Sequence, residues 1–319
     1  MGGFDFSGSD LRGARLRFAH TDSTTLLLDA KLDGEDAAWL ENQQRSVDPE
    51  EEPLLRDLRH ALRDGEFSLV FQPIVSLKLG HVQRVEALVR WNRPERGNVA
   101  PAVFIPIMEE AGLMHDLTYH VIDEAIQQQR YLDGVNVEVT ISVNVSPYSL
   151  LHRDFVMNCQ RLMHGQKARI RFEVTETVLA LDHDLFMRNV GELRKYGVSI
   201  AIDNYGVSYS SLAELKIIAA DELKIDGSLV RQLNEEGRDP RFIKSIVDLG
   251  HAMGMTVTAE GVENETELDL LVAFGCDDAQ GYVFGRPLSG EDLARRIEDI
   301  PWTGLEAGRG KHGLRGWFS

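Results

Sequence analysis

Val137-Glu138-Val139-Thr140-Ile141-Ser142-Val143-Asn144 sets its valines and isoleucine on one parity and Glu138, Thr140, Ser142 and Asn144 on the other. Successive side chains of an extended chain point to opposite faces, so this period of two predicts a strand with one polar face. Four later segments repeat it: Ile170-Arg171-Phe172-Glu173-Val174, Val198-Ser199-Ile200-Ala201-Ile202-Asp203, Leu223-Lys224-Ile225 and Val257-Thr258-Ala259-Glu260. The five close on Asn144, Glu173, Asp203, Lys224 and Glu260, at intervals of 29, 30, 21 and 36 residues that leave room for a connecting helix in most cases. Successive βα units follow, and with them a parallel sheet. Polar strand ends converge only when such strands close into a barrel or share one sheet edge. The expected fold is α/β, and a (β/α) barrel gathers such ends at its C-terminal mouth, where ligand chemistry is expected. A single polar strand end needs no such account, because strands end near water; five in series do.

Working outward, Ser68–Val75 and Val82–Trp91 predict two strands joined by a turn at Leu79-Gly80. Apolar periodicity predicts helices near 103–111, 117–132, 184–196, 240–253 and 265–274. Ahead of them, Asp48-Pro49-Glu50-Glu51-Glu52-Pro53 reads as a solvated linker with an acidic first turn, leading into a helix with Leu54, Leu55, Leu58 and Leu62 on one stripe. The expected organisation is an N-terminal extension over 1–52, a barrel domain over 53–300 and a flexible tail over 301–319. In the extension Phe6, Leu11 and Leu16 recur every five residues and Thr25–Leu28 is a candidate strand, which together define no domain. The tail carries Arg309, Lys311, Arg315, Trp317 and Phe318 among glycines. Either end leaves room for a protein partner.

The 319 residues hold 34 Lys and Arg against 51 Asp and Glu, a net charge of −17, which disfavours nonspecific nucleic-acid binding. A carboxylate-lined pocket in such a chain accepts a phosphate ligand if divalent metals invert the local charge. Oxygen donors without a His or Cys cluster suit hard cations rather than zinc. Cys159 and Cys276 are too few for a disulfide framework and read as small buried hydrophobes, consistent with a reducing, cytoplasmic setting. No transmembrane-length apolar run or signal peptide is expected.

The strand ends sit within recognisable segments: Phe71-Gln72-Pro73-Ile74-Val75, Glu86-Ala87-Leu88-Val89-Arg90-Trp91, Asn144-Val145-Ser146, Glu173-Val174-Thr175-Glu176, Leu223-Lys224-Ile225-Asp226, Ala259-Glu260-Gly261-Val262-Glu263 and Gln280-Gly281-Tyr282-Val283-Phe284. In this order and spacing, over about residues 54 to 290, the chain closely resembles the EAL domain family. The resemblance implies an α/β fold, a (β/α)8 TIM-like barrel, that binds cyclic di-GMP and, in active members, hydrolyses one phosphodiester to give linear pGpG with two Mg²⁺ or Mn²⁺ ions. Carried over by position, it implies that Glu86, Asn144, Glu173 and Asp203 hold the first metal, that Asp203 bridges to the second, and that Asn204 stands at the second metal. Lys224 would steady the attacking water and Glu260 would help activate it. Arg90 would contact a phosphate. Gln72, Asp226, Gln280 and the Phe284 to Pro287 segment, Pro287 included, would bind the rest of the nucleotide. Glu176 and Glu263 would position the metal-site loop; as residues alone they read equally as carboxylates beside helix starts. A homodimer is also implied.

One departure bears on turnover. Active members carry two consecutive aspartates followed by Phe-Gly-Thr-Gly; here the segment is Asp203-Asn204-Tyr205-Gly206-Val207-Ser208. An amide oxygen ligates a hard cation without a carboxylate's charge, so a second metal is expected to bind more weakly. Two function classes stay open. The first is a metal-dependent phosphodiesterase, favoured by the surviving set of Glu86, Asn144, Glu173, Asp203, Lys224 and Glu260. The second is a catalytically silent cyclic di-GMP receptor that signals through a protein partner, favoured by Asn204. An interaction module that has lost the nucleotide is a third reading. The fifty residues ahead of the barrel are too few for a fused cyclase domain.

Overall fold

The computed structural model describes residues 51–94, 97–164, 168–175, 178, 182–206, 215, 220–234 and 240–300. Residues 1–50 of the N-terminal extension, with its candidate strand, the C-terminal tail, Glu176, Val207 and Ser208 lie outside the described residues.

In chain order the elements are α1 (Glu51–Asp64), β1 (Phe67–Ser76), β2 (Val82–Arg93), β3 (Gly97–Val99), α2 (Pro101–Glu110), α3 (Met114–Gly134), β4 (Thr140–Asn144), α4 (Pro147–Leu150), α5 (Phe155–Leu162), β5 (Ile170–Thr175), α6 (His183–Arg194), β6 (Ser199–Tyr205), β7 (Glu222–Ile225), α7 (Gly227–Arg231), α8 (Arg241–Ala252), β8 (Thr256–Ala259), α9 (Glu265–Phe274), β9 (Asp278–Gln280) and α10 (Gly290–Arg296). Strand neighbours run β1-β9-β8-β7-β6-β5-β4-β2-β3, and β1 also pairs with β2, so eight strands close into a barrel while β3 hangs on the end of β2.

The barrel is not wholly parallel. β2 and β4 to β9 run parallel, as the βα spacing implied, but β1 is antiparallel to both β2 and β9. The cause is local: the turn after Ser76 is far too short for a crossover, and Gly80, at φ 76°, completes it. The first alternating segment is also shorter than its pattern, because β4 begins at Thr140, opposite Arg84 of β2.

Alternation sorts the side chains into two environments. The apolar parity (Val85, Ala87, Ile141, Val143, Phe172, Val174, Ile200, Ile202, Leu223, Ile225, Val257 and Ala259) is almost fully buried. It forms one core cluster with helix residues such as Ile122 and Ile126 of α3, Phe186 and Val190 of α6, Ile246 and Val247 of α8, and Leu268 and Leu271 of α9. The polar parity faces the lumen, since Arg84 of β2 bonds to Glu222 of β7, a strand that is not its neighbour. Barrel interiors are usually filled by Val, Ile and Leu. Much of this one is ionic.

An aromatic cluster of Phe67, Trp91 and Phe104 packs α2 against the hairpin, with ring centroids 5.5 to 6.0 Å apart. Cys159 and Cys276 are buried and unpaired, and burial pushes the Cys159 thiol up to about 12. Among the described residues no helix is long and apolar enough to cross a membrane.

Candidate active site at the barrel mouth

The lumen-facing residues nearest the C-terminal strand ends gather around Lys224, which is fully buried. Its Nζ lies 2.5 Å from Glu260 Oε1, 2.7 Å from Glu173 Oε2, and 3.6 Å from both Glu86 Oε2 and Asp203 Oδ1. Asn144 Nδ2 donates to Glu86 Oε1 at 2.7 Å. Gln280 Nε2 donates to Glu86 Oε2 at 2.6 Å and to Gln72 Oε1 at 3.1 Å. Gln72 and Glu86 stand directly opposite each other in the β1–β2 ladder. Residues on or just after every strand of the barrel thus meet in one place.

Four carboxylates face one ammonium, and the charge balance shows in their acidities. For Lys224 burial works downward, yet Glu173, Glu260, Glu86 and Asp203 together hold it well above its usual value. Burial drives Glu173 well up and raises Asp203, and it lifts Glu260 to about 8. Glu86 goes the other way: burial opposes its ionisation, but Lys224 and the hydrogen bonds from Gln280 and Asn144 keep it below the ordinary range. The mouth holds more negative charge than its own cation can balance.

Asp203 and Asn204 sit at a register break between β6 and β7. Asn204 has φ 56°, a left-handed conformation that Asn tolerates better than most residues. Its Nδ2 donates to Asp203 Oδ2 at 2.9 Å. The amide thereby occupies one oxygen of the neighbouring carboxylate.

The other sequence-expected residues are placed as follows. Arg90 lies four residues beyond Glu86 on the same strand, opposite Ser68, and its Nη1 donates to Val89 O at 2.8 Å. Asp226 caps α7, accepting from Ser228 N at 2.7 Å. Pro287 precedes Leu288, which bridges to Phe71 and so holds that segment beside Gln72. The Glu263 side chain is exposed; its backbone N–H donates to the buried Glu267 at 2.7 Å, while Asn264 caps α9. Glu267 therefore secures the loop after β8 through a capping arrangement that the Asn264-x-x-Glu267 spacing already advertises.

Gly281 is where two mouth loops touch. Val262 N donates to Gln280 O at 3.0 Å and Val283 N to Val262 O at 3.1 Å, and a Cβ on Gly281 would stand 2.0 Å from Val262 O. Both groups are backbone and neither rotates away. Gly281→Ala is expected to cost roughly 1–3 kcal/mol or more from overpacking, read as a lowered midpoint in thermal or urea unfolding. A midpoint equal to wild type would show that the loops separate freely.

Sequence reasoning passed over a second polar layer. Arg84, Arg171, Glu222, Thr258 and Asp278 are interlinked inside the barrel. Each lies two residues before a mouth residue, so the alternation that grouped Glu173, Lys224 and Glu260 could have found Arg171, Glu222 and Thr258, while Arg84 and Asp278 stand in the same relation to Glu86 and Gln280, which the family resemblance supplied.

Among the described residues no three His, Cys, Asp or Glu side chains are set to close on one metal ion, because Lys224 stands between the carboxylates. The donor set nevertheless fits a hard cation. It is all oxygen, it carries excess negative charge, and the buried Glu173 Oε1 and Asp203 Oδ1 have no hydrogen-bond partner.

An eight-stranded barrel with an acidic, lysine-centred mouth defines the class. Residues 55–287 match the family described as the EAL domain, and the chain belongs to that family. It is 36% identical over 263 residues to the bifunctional diguanylate cyclase/cyclic di-GMP phosphodiesterase MucR of Pseudomonas aeruginosa, covering 81% of this chain and 38% of that protein. It is 32% identical over 247 residues to the cyclic di-GMP phosphodiesterase RocR of the same species, covering 76% of this chain and 63% of that protein. The chain thus spans less than two thirds of each. Among solved structures, the MucR phosphodiesterase in complex with c-di-GMP superposes with a TM-score of 0.71 at 36% identity, over 76% of this chain and 99% of that one.

Proposed function

We propose that this chain is a metal-dependent phosphodiesterase that hydrolyses cyclic di-GMP to pGpG, with turnover reduced by Asn204. The observation that carries the reading is the gathering of Glu86, Glu173, Asp203 and Glu260 around the buried Lys224, with carboxylate oxygens left over. Glu86, Asn144, Glu173 and Asp203 would hold one Mg²⁺ or Mn²⁺, and Asp203 and Asn204 a second. When bound, such ions make a water more acidic and neutralise phosphate charge.

This chain's own residues do the rest. Glu260, lifted by burial to about 8, lies close enough to neutral pH to take up and release a proton there, and its ionised form would accept one from water. Lys224 stays an ammonium and offers positive charge where the pentavalent phosphorus gains negative charge. The water oxygen bonds to phosphorus, the bond from phosphorus to the ribose 3′ oxygen breaks, and that oxygen leaves with a proton as the 3′ hydroxyl. Gln72 and Gln280, tied to each other and to Glu86, present amides on the hairpin side for nucleotide recognition.

A second reading, a receptor that binds without cutting, is favoured by the Asn204 contact. The amide hydrogen-bonds Asp203 where a carboxylate would repel it, so the pair is content without a cation between. Incubation with cyclic di-GMP and Mg²⁺ or Mn²⁺, with pGpG followed by chromatography, decides between them. Product from the native chain that is lost in Glu86→Ala establishes the enzyme, and Asn204→Asp is expected to raise its rate. Tight binding in Ca²⁺ without product, with turnover appearing only in Asn204→Asp, establishes the receptor.

A further inference from the structure

The mouth residues do not hold their heights unaided. Arg84 Nη2 reaches Glu222 Oε1 at 2.6 Å, Asp278 Oδ2 at 2.9 Å and Thr258 Oγ1 at 3.0 Å, so one guanidinium on β2 ties β7, β8 and β9 together through the lumen. Arg171 extends the tie from β5 to β7 through Glu222, and to β6 through Ser199 at 2.9 Å. Thr258 also donates to Glu222. Arg84, Glu222, Thr258 and Asp278 are buried, Glu222 and Thr258 completely. Two cations balance two anions.

The registration with the mouth is one to one. Arg84 precedes Glu86 by two residues on β2, Arg171 precedes Glu173 on β5, Glu222 precedes Lys224 on β7, Thr258 precedes Glu260 on β8 and Asp278 precedes Gln280 on β9. Two residues of strand span about 6.6 Å and return to the same face. Each network member therefore sits one step below the mouth residue of its own strand.

A hydrophobic filling would satisfy the lumen at lower desolvation cost, since buried ion pairs are often no more stabilising than well-packed apolar groups. What apolar packing lacks is direction. Short bonds between fixed donors and acceptors set how far each strand is advanced along the barrel axis relative to the others. A metal or phosphate site tolerates errors of only about 0.5 Å in that advance.

We propose that this ionic layer, with Arg84 at its centre, is a positioning floor that fixes the relative heights of Glu86, Glu173, Lys224, Glu260 and Gln280 and so sets the divalent-metal affinity of the mouth. The inference rests on the metal-dependent reading above and deepens it.

The test compares the full chain with Arg84→Lys and with the charge-balanced pair Arg84→Met/Asp278→Leu, which leaves Glu222 matched to Arg171. Mn²⁺ affinity is measured by calorimetric titration, and thermal unfolding is followed in parallel. The double variant is expected to melt close to wild type, as apolar replacement of a buried pair allows, yet to bind Mn²⁺ about tenfold or more weakly. Arg84→Lys, which keeps the charge but not the fork, is expected to fall between them. A folded double variant with wild-type affinity overturns the proposal. If the double variant does not fold, Arg84→Lys decides: affinity equal to wild type overturns the proposal, and an intermediate value supports it. A wild-type chain that binds no Mn²⁺ removes the metal-dependent reading itself, and the positioning floor falls with it.

Discussion

Glu222→Gln is expected to lower the unfolding free energy by about 3–5 kcal/mol, the usual consequence of removing one partner from a buried ionic network. Glu222 is completely buried and accepts from Arg84, Arg171 and Thr258 at once. An amide keeps the shape but, among the described residues, leaves the buried Arg84 with Asp278 as its one carboxylate and the half-buried Arg171 without one, and it presents an N–H₂ to donors. For a barrel of this size the loss corresponds to a fall in Tm on the order of 10 °C, measured by calorimetry near pH 7. The pH dependence has a definite sign. Burial opposes ionisation of Glu222, but Arg84 and Arg171 outweigh it and depress its folded value below the usual 4.5. Its contribution is therefore complete above the unfolded value and is lost as pH falls through the lower folded one. The deficit of the variant should shrink in strong acid, and a variant that melts like wild type at pH 7 would refute the account.

Between pH 5 and pH 8, protein treated with chelator is expected to lose stability as pH rises, against the common trend for proteins with paired carboxylates. Burial raises the folded values of Glu173, Asp203 and Glu260, the last to about 8. Above about pH 4.5 the folded state then keeps protons that the unfolded chain has released, so folding weakens with increasing pH. Each fully retained proton gives a slope of about 1.4 kcal/mol per pH unit. His120, raised by the Glu124 carboxylate whose Oε2 lies 3.5 Å from its Nε2, acts in the same sense from its unfolded value upward. Glu86 and Glu222 titrate below this window and do not offset the slope. Melts at pH 5, 6.5 and 8 read it directly, and Glu260→Gln should flatten part of it. A Tm that climbs from pH 5 to pH 8 would show that the mouth carboxylates ionise freely.

Much of the fold and the mouth was legible in the sequence because a period of two survives tertiary context. Glu173, Asp203, Lys224 and Glu260 group together on the alternation alone, since a barrel lumen leaves one direction for the polar parity of every strand. The direction of β1 was not legible from the alternation that marks it as a strand; pairing sense is set by the short turn after Ser76, which the sequence shows only as Leu79-Gly80. The Arg84 layer was hidden for another reason. Arg84 and Arg171, read singly, look like ordinary solvated cations, and only closure of the barrel brings Glu222 and Asp278 against them. Asp226 illustrates a third limit, because its cap on α7 is a backbone contact that its conspicuous neighbours Leu223-Lys224-Ile225 do not announce.

The antiparallel strand that closes the barrel also makes assembly of the mouth a late event. β1 meets β2 along nearly its whole length, from Phe67 opposite Trp91 to Val75 opposite Val82, but it meets β9 over only Ile74 to Ser76. The hairpin is local in the chain, whereas the β1–β9 seam joins segments about two hundred residues apart, and contacts so distant in sequence are entropically slow to form. During synthesis, Gln72 and Glu86 emerge long before Gln280, the residue that bonds to both. Until that residue has left the ribosome, the hairpin edge is unpaired and Glu86 lacks one of its fixed donors, so a nascent chain is a barrel with an open stave and no finished mouth.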